Sequence, residues 1–161
     1  MIEVEKILPS DKRELMTAEN YEIFNRDLLR KVFPRIIAEH DAQFGRKQRK
    51  PQIRDIVTLY FYLLSYVSGV HTLENGEPNP KFGAAFPAIK KIAADTGIAE
   101  KRVKHLAGIL EANGLLRQKQ IWDGKLYFMS FCPRISDDGY VVNENGEKVV
   151  PDPSVYVRDS H

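Results

Sequence analysis

Between positions 87 and 131 the apolar residues fall first at helical spacing and then at the two-residue spacing of strands. Ile89, Ile92 and Ala93 stand at i, i+3 and i+4, which predicts a helix over Pro87 to Thr96. Gly97 ends it, because a residue without Cβ can take the positive φ of a sharp turn. Val103, Leu106, Ile109 and Leu110 form the inward face of a second helix, Glu100 to Ala112, and leave Lys101, Arg102, Lys104 and His105 on the rest of its first half. Asn113-Gly114 closes that helix. Arg117 to Trp122 and Lys125 to Phe131 then read as two strands around an Asp123-Gly124 turn. Their alternation puts Arg117, Lys119, Ile121, Leu126 and Phe128 on one face, and Gln118, Gln120, Trp122, Lys125, Tyr127 and Met129 on the other. Ala84, Ala85 and Phe86 are expected to add a short third strand.

Upstream, Tyr21, Phe24, Leu28 and Val32 make an apolar stripe on a helix expected from Ala18, capped by Thr17 and edged by Ile23 and Leu29. Pro34 interrupts the pattern, through a kink near Phe33 or a second short helix, Arg35 to Phe44, carrying Ile36 and Ile37. The stripe needs a cover, either in the same chain or across a homodimer with Tyr21, Phe24, Leu28 and Val32 as its contacts. From Gln52 to Ser68 apolar residues run nearly all the way round, so this helix should be buried on most sides. Its apolar run is too short to span a bilayer. Val70 to Gly83, rich in Asn, Pro and Gly, reads as an irregular loop. In the tail, Tyr140 to Val142 and Lys148 to Val150 flank Asn145-Gly146 as a second hairpin, after which Pro151 and Pro153 favour extended, loosely held chain. The expected fold is mainly α with a small β-hairpin wing (α+β). It divides into an N-terminal helical extension with a basic loop (1–50), a central unit (51–131) and a C-terminal hairpin and tail (132–161).

A chain of 161 residues has material for one modest globular domain with appendages. Net charge is only +2, but it is uneven: residues 1–45 hold seven Lys/Arg and nine Asp/Glu, 46–134 hold fifteen and seven, and 135–161 hold two and six. The basic middle coincides with the helix-turn-helix pattern, as expected of a duplex binder or, more simply, of a solvated surface balanced by acidic ends. The stretch Gly45 to Arg54 carries Arg46, Lys47, Arg49, Lys50 and Arg54 in an exposed loop that either follows a phosphate backbone or only aids solubility. The lone Cys132 excludes an internal disulfide and a Cys-based zinc site. His40, His71, His105 and His161 are scattered, and neither a Gly-rich phosphate loop nor a nucleophile elbow occurs. The chain is therefore expected to be no enzyme and to need no metal or cofactor; lacking a signal-peptide pattern, it is expected in the cytoplasm.

The run IAADTGIAEKRVKHLAGILEANGLL, led in by AAFPAIKKIA, resembles the winged helix-turn-helix domains of plasmid and phage replication initiators and small bacterial transcription regulators. The resemblance covers roughly Arg54 to Phe131. It implies a winged helix-turn-helix with an extra N-terminal helical region, partnered by double-stranded DNA, often as a homodimer and beside replication or transcription proteins. It places the chain on a nucleoid or plasmid. Lys101, Arg102, Lys104 and His105 would read bases from the major groove, while Arg46, Lys47, Arg49, Lys50, Lys90, Arg117, Lys119 and Lys125 would touch the backbone. Trp122 shares the hairpin tip with Lys125, though a tryptophan there more often packs on a neighbouring element. Two positions depart from the family pattern. Ala99 stands where Ser is usual, losing an N-cap hydroxyl worth about 1 kcal/mol, and Arg102 stands where Thr is usual. The alternative is the same fold used as a protein–protein module, against which the cations at Lys101, Arg102 and Lys104 argue, since interface cores are depleted of charge.

Overall fold

The computed structural model describes residues 22–45, 50–69, 72–130 and 132–157. Among them a π-helical turn, Leu28–Val32, runs into α1 (Phe33–Ala42); α2 (Asp55–Ser65), β1 (Ala84–Ala85), α3 (Ile89–Thr96) and α4 (Glu100–Ala112) follow. The chain continues through β2 (Leu116–Ile121), β3 (Gly124–Met129), β4 (Arg134–Ile135), β5 (Val141–Val142) and a 3-10 turn, Pro153–Tyr156. The class is α+β, with helices packed on a small antiparallel sheet of order β1-β3-β2. No helix of the described residues is long and apolar enough to cross a membrane.

The helical pair at the centre follows its apolar spacing. Ile92 of α3 and Val103, Leu106, Ile109 and Leu110 of α4 are buried, and Gly97, at φ 76°, caps α3 with its N–H on the Ala93 carbonyl. Ala88 and Ala99 hold the two N-cap positions in extended backbone, and neither helix has a side-chain cap. α2 is shorter than its apolar run by three residues at each end. It buries Ile56, Leu59, Tyr60, Leu63 and Leu64 and half-buries Val57, Phe61 and Tyr62.

The hairpin pairs Gln120 with Lys125 and Ile121 with Gly124, so its turn is Trp122-Asp123 rather than Asp123-Gly124. Strand side chains alternate with period two, and the pairing differs from expectation by two residues. Both faces therefore keep their expected members except Trp122, which lies in the turn. β1 joins as the third strand, Ala84 opposite Phe128 and Ala85 opposite Tyr127.

Three expectations about the ends of the chain are corrected. Residues 22–25 are not helical, and Pro34 lies within the first turn of α1 instead of separating two helices. The Phe33 N–H reaches back five residues to the Leu28 carbonyl, a widened turn placed just ahead of the ring that would clash with an α-helical carbonyl. Of the two covers expected for Leu28 and Val32, the same chain or a second copy, the structure has the first: they are 1% and 0% exposed in the single chain. They pack inside it; Phe24 keeps part of its surface and sets its ring edge-on to Phe61 at 5.0 Å. Thr17 and Tyr21 lie outside the described residues.

The tail is the third correction, because it is held rather than loose. The second hairpin itself forms where it was expected: Val142 bridges Lys148, the Asn143 and Val149 N–H groups donate to the Glu147 and Val141 carbonyls, and β5 pairs on its other side with β4. Asp152 accepts the Ser154 N–H and caps the 3-10 turn, whose Tyr156 is buried. Arg35 donates to the Gly139 carbonyl at 2.8 Å, lies 4.0 Å over the Tyr140 ring and pairs with Glu39. Glu39 in turn accepts from the hydroxyls of Tyr156 (3.0 Å) and Tyr140 (3.3 Å). Gly139, at φ 90°, passes so close to α1 that a Cβ would stand 2.5 Å from the Lys31 carbonyl oxygen. One buried cluster thus includes Leu28, Phe33 and Ile36 from the first segment, the central helices, and Val141 and Tyr156 from the last.

Candidate functional site

In front of α4 lies an open groove of about 800 Å³, walled by the first turn of α3, the exposed side of α4 and the inner face of the hairpin. Three cations enter it from three elements: Lys90 from α3, Lys104 from α4 and Lys125 from β3, against one carboxylate, Asp123. Gln118 and Gln120 line the hairpin wall, and Lys125 Nζ donates to the Gln118 side-chain oxygen at 3.2 Å, which turns its charge inward. Gly108 lies on the floor, where an added Cβ would meet nothing within 4 Å. Mid-helix glycine costs about 1 kcal/mol relative to alanine, and here no packing requires it. The uncapped first turn of α3 adds backbone N–H groups at the rim, a favourable surrounding for an anion.

Behind the groove, α3 is tied to α2 through Asp95, which accepts from the Tyr62 hydroxyl (2.6 Å) and Lys91 Nζ (3.0 Å). The Tyr62 bond first and Lys91 second hold this carboxyl below its ordinary range, while burial and then Asp95 push the Tyr62 phenol up.

The four expected base readers do not share one face. At about 100° per residue, Arg102 stands about 160° from Lys104 around the helix. Lys104 faces the groove and Lys101 is exposed on the first turn. Arg102 instead donates to the Gln52 carbonyl at 2.6 Å, and the His105 ring lies 3.3 Å from the Tyr156 carbonyl. Both are turned toward the chain's own backbone. The Arg102 bond fixes the end of the basic stretch against α4, leaving Lys50 exposed beside it.

Among the expected backbone contacts, Lys90 and Lys125 enter the groove. Arg117 and Lys119 project from the opposite face of the hairpin, Arg117 lying 4.7 Å over the Phe128 ring. Arg46, Lys47 and Arg49 lie outside the described residues. Gln118, Gln120 and Gly108 were not singled out, although the strand alternation already set both glutamines on the Lys125 face. A glycine inside an otherwise regular helix was the available signal for the floor. Among the described residues no group of three or more His, Cys, Asp or Glu could hold a metal ion. No family model matches the chain, and no curated protein or solved structure does.

Proposed function

We propose that the protein binds double-stranded DNA as a winged helix-turn-helix, with α4 entering the major groove and the β2–β3 hairpin serving as the wing. It acts as a binder rather than an enzyme, on a plasmid, phage or bacterial chromosome in the cytoplasm. Its role in replication initiation or transcription control follows from the sequence resemblance alone. The observation that carries the binding mode is the convergence of Lys90, Lys104 and Lys125 from three elements on one groove, with two side-chain amides between them. Such a set offers point charges for phosphates and donor–acceptor groups for base edges. Lys101 and Lys104 are the base readers, sited on the first turns of the helix where side chains reach deepest. If two copies bind a two-fold site, they meet through a surface other than Leu28 and Val32.

Selection of bound duplexes from a random pool at two salt concentrations tests this. Recovery of a motif is expected. Lys104→Ala should weaken it by ~1–3 kcal/mol and relax one position, whereas Lys90→Ala or Lys125→Ala should weaken all sequences alike and reduce the salt slope by about one each. Recovery of random DNA only, with affinity vanishing at physiological salt, would refute sequence-specific recognition.

A further inference from the structure

Trp122 is the sole tryptophan of the chain, and at the hairpin tip it is 96% exposed. A large ring left in water contributes nothing to the fold, since apolar surface stabilises only when removed from solvent. The turn beneath it is nevertheless braced. The Gln120 amide donates to the carbonyls of Ile121 (3.1 Å) and Gly124 (2.7 Å). The indole is thus held out on a closed turn, with no ring contact among the described residues.

The hairpin below it carries cations, with the Asp123 carboxylate beside it in the turn. Lys119 and Lys125 stand on the two faces of the hairpin just below the tip, and Lys104 lies across the groove. That charge suits a polyanion better than an apolar protein pocket. A six-residue strand, at about 3.3 Å per residue, spans about 20 Å. Half a turn of B-DNA, which separates a major-groove centre from the next minor groove, is about 17 Å. A hairpin of that length is sufficient to carry the ring to a neighbouring minor groove only about 6 Å wide, where it can lie flat on a base only if neighbouring pairs part.

Resting on the DNA-binding reading, we propose that Trp122 stacks on a base exposed at an unpaired or easily unstacked step beside the helix-bound site, so that the protein prefers locally opened duplex. Stacking on one base raises affinity roughly five- to 150-fold, while a fully paired step must first be unstacked at comparable cost. The gain therefore arises only where pairing is already weak.

The single tryptophan reports on itself. The full chain is titrated at low salt with a labelled mixed-sequence duplex of about three helical turns and with the same duplex carrying a central mismatch bubble. Affinity is read from anisotropy of the label and shielding from acrylamide quenching of the indole. The bubble should bind roughly five- to 150-fold more tightly than the intact duplex and shield the indole. Trp122→Ala should abolish that ratio, and Trp122→Phe should keep most of it. Equal affinity for both duplexes, an indole still open to acrylamide, or a ratio that survives Trp122→Ala overturns the stacking. If Lys104→Ala still weakens binding in that case, the DNA-binding reading stands; no binding of either duplex removes both.

Discussion

Behind α4, Glu39 accepts from Tyr140 and Tyr156 while pairing with Arg35, so its carboxylate is fully engaged, although the buried Arg35 Nη2 has no hydrogen-bond partner among the described residues. In front of α4, Lys90, Lys101 and Lys104 make no ion pair among the described residues, and Gln120 is the groove amide that closes on its own hairpin. The two sides differ in what their polar atoms do. At the back they fix the position of the helix; at the front Lys125 bonds Gln118 and Gln120 bonds its own turn, while Lys90, Lys101 and Lys104 stand exposed. If the proposed DNA-binding reading holds, one helix separates stability from recognition, and substitutions on its two sides should fail in different ways.

The sharpest break would come from Tyr156→Ala. Truncating this buried ring should cost about 3–5 kcal/mol of unfolding free energy, as for other buried aromatics, measured by urea titration. A loss below about 1 kcal/mol would mean that the tail does not hold the back of α4.

High pH probes the same side without mutation. Burial pushes the Tyr60 and Tyr156 phenols up from 10.0 to about 12. The folded chain thus keeps these protons more tightly than the unfolded chain. Below pH 10 the stabilisation is complete; as pH rises from 10 to about 12 the unfolded chain ionises first and stability falls. The expected loss is on the order of 2 kcal/mol per ring, followed by circular dichroism alongside phenolate absorbance. Phenolate absorbance rising fully at pH 10, before the helices melt, would contradict the burial.

The front should behave in the opposite sense. Gly108→Ala should raise stability by about 1 kcal/mol, because the new methyl meets no neighbour, yet should weaken duplex binding by filling the groove floor. Smallest of all, Lys104→Ala should leave the unfolding midpoint within the equivalent of about 0.5 kcal/mol while reducing DNA affinity. A large stability loss from that exposed lysine would collapse the distinction between the two sides.

The same division explains what could be read from the sequence. α4 was legible to its end residues because its signals are local: the apolar spacing, Gly97 before it and Asn113-Gly114 after it. Lys104 and Lys125 could be assigned to open surfaces from helical and strand period alone. Arg102 could not, because the period gives a direction around α4 but not the Gln52 carbonyl that lies there. The tail was the least legible, since Tyr156 meets Glu39 across 117 residues and two prolines disguised a 3-10 turn as extended chain. Pro34 misled for a related reason: a π-helical turn absorbs the clash that its ring imposes on an α-helix, and nothing in the neighbouring residues announces that turn.

The distant pairing of α1 with the tail also orders events during synthesis. Arg35 waits 104 residues for the Gly139 carbonyl, and Glu39 waits 117 for Tyr156. Until then α1 is packed on α2, with Phe33 edge-on to Tyr60 at 5.5 Å, and α4 on α2 and α3, but both lack what the tail supplies. A ribosome delivering the chain from its N-terminus therefore releases the groove and its helices before the tail that pairs with α1, and contacts so far apart in sequence close slowly. The Arg35 and Glu39 pairings therefore close only once residues 139 and 156 have been made, which ties the final packing of α1 to the segment most distant from it in the sequence.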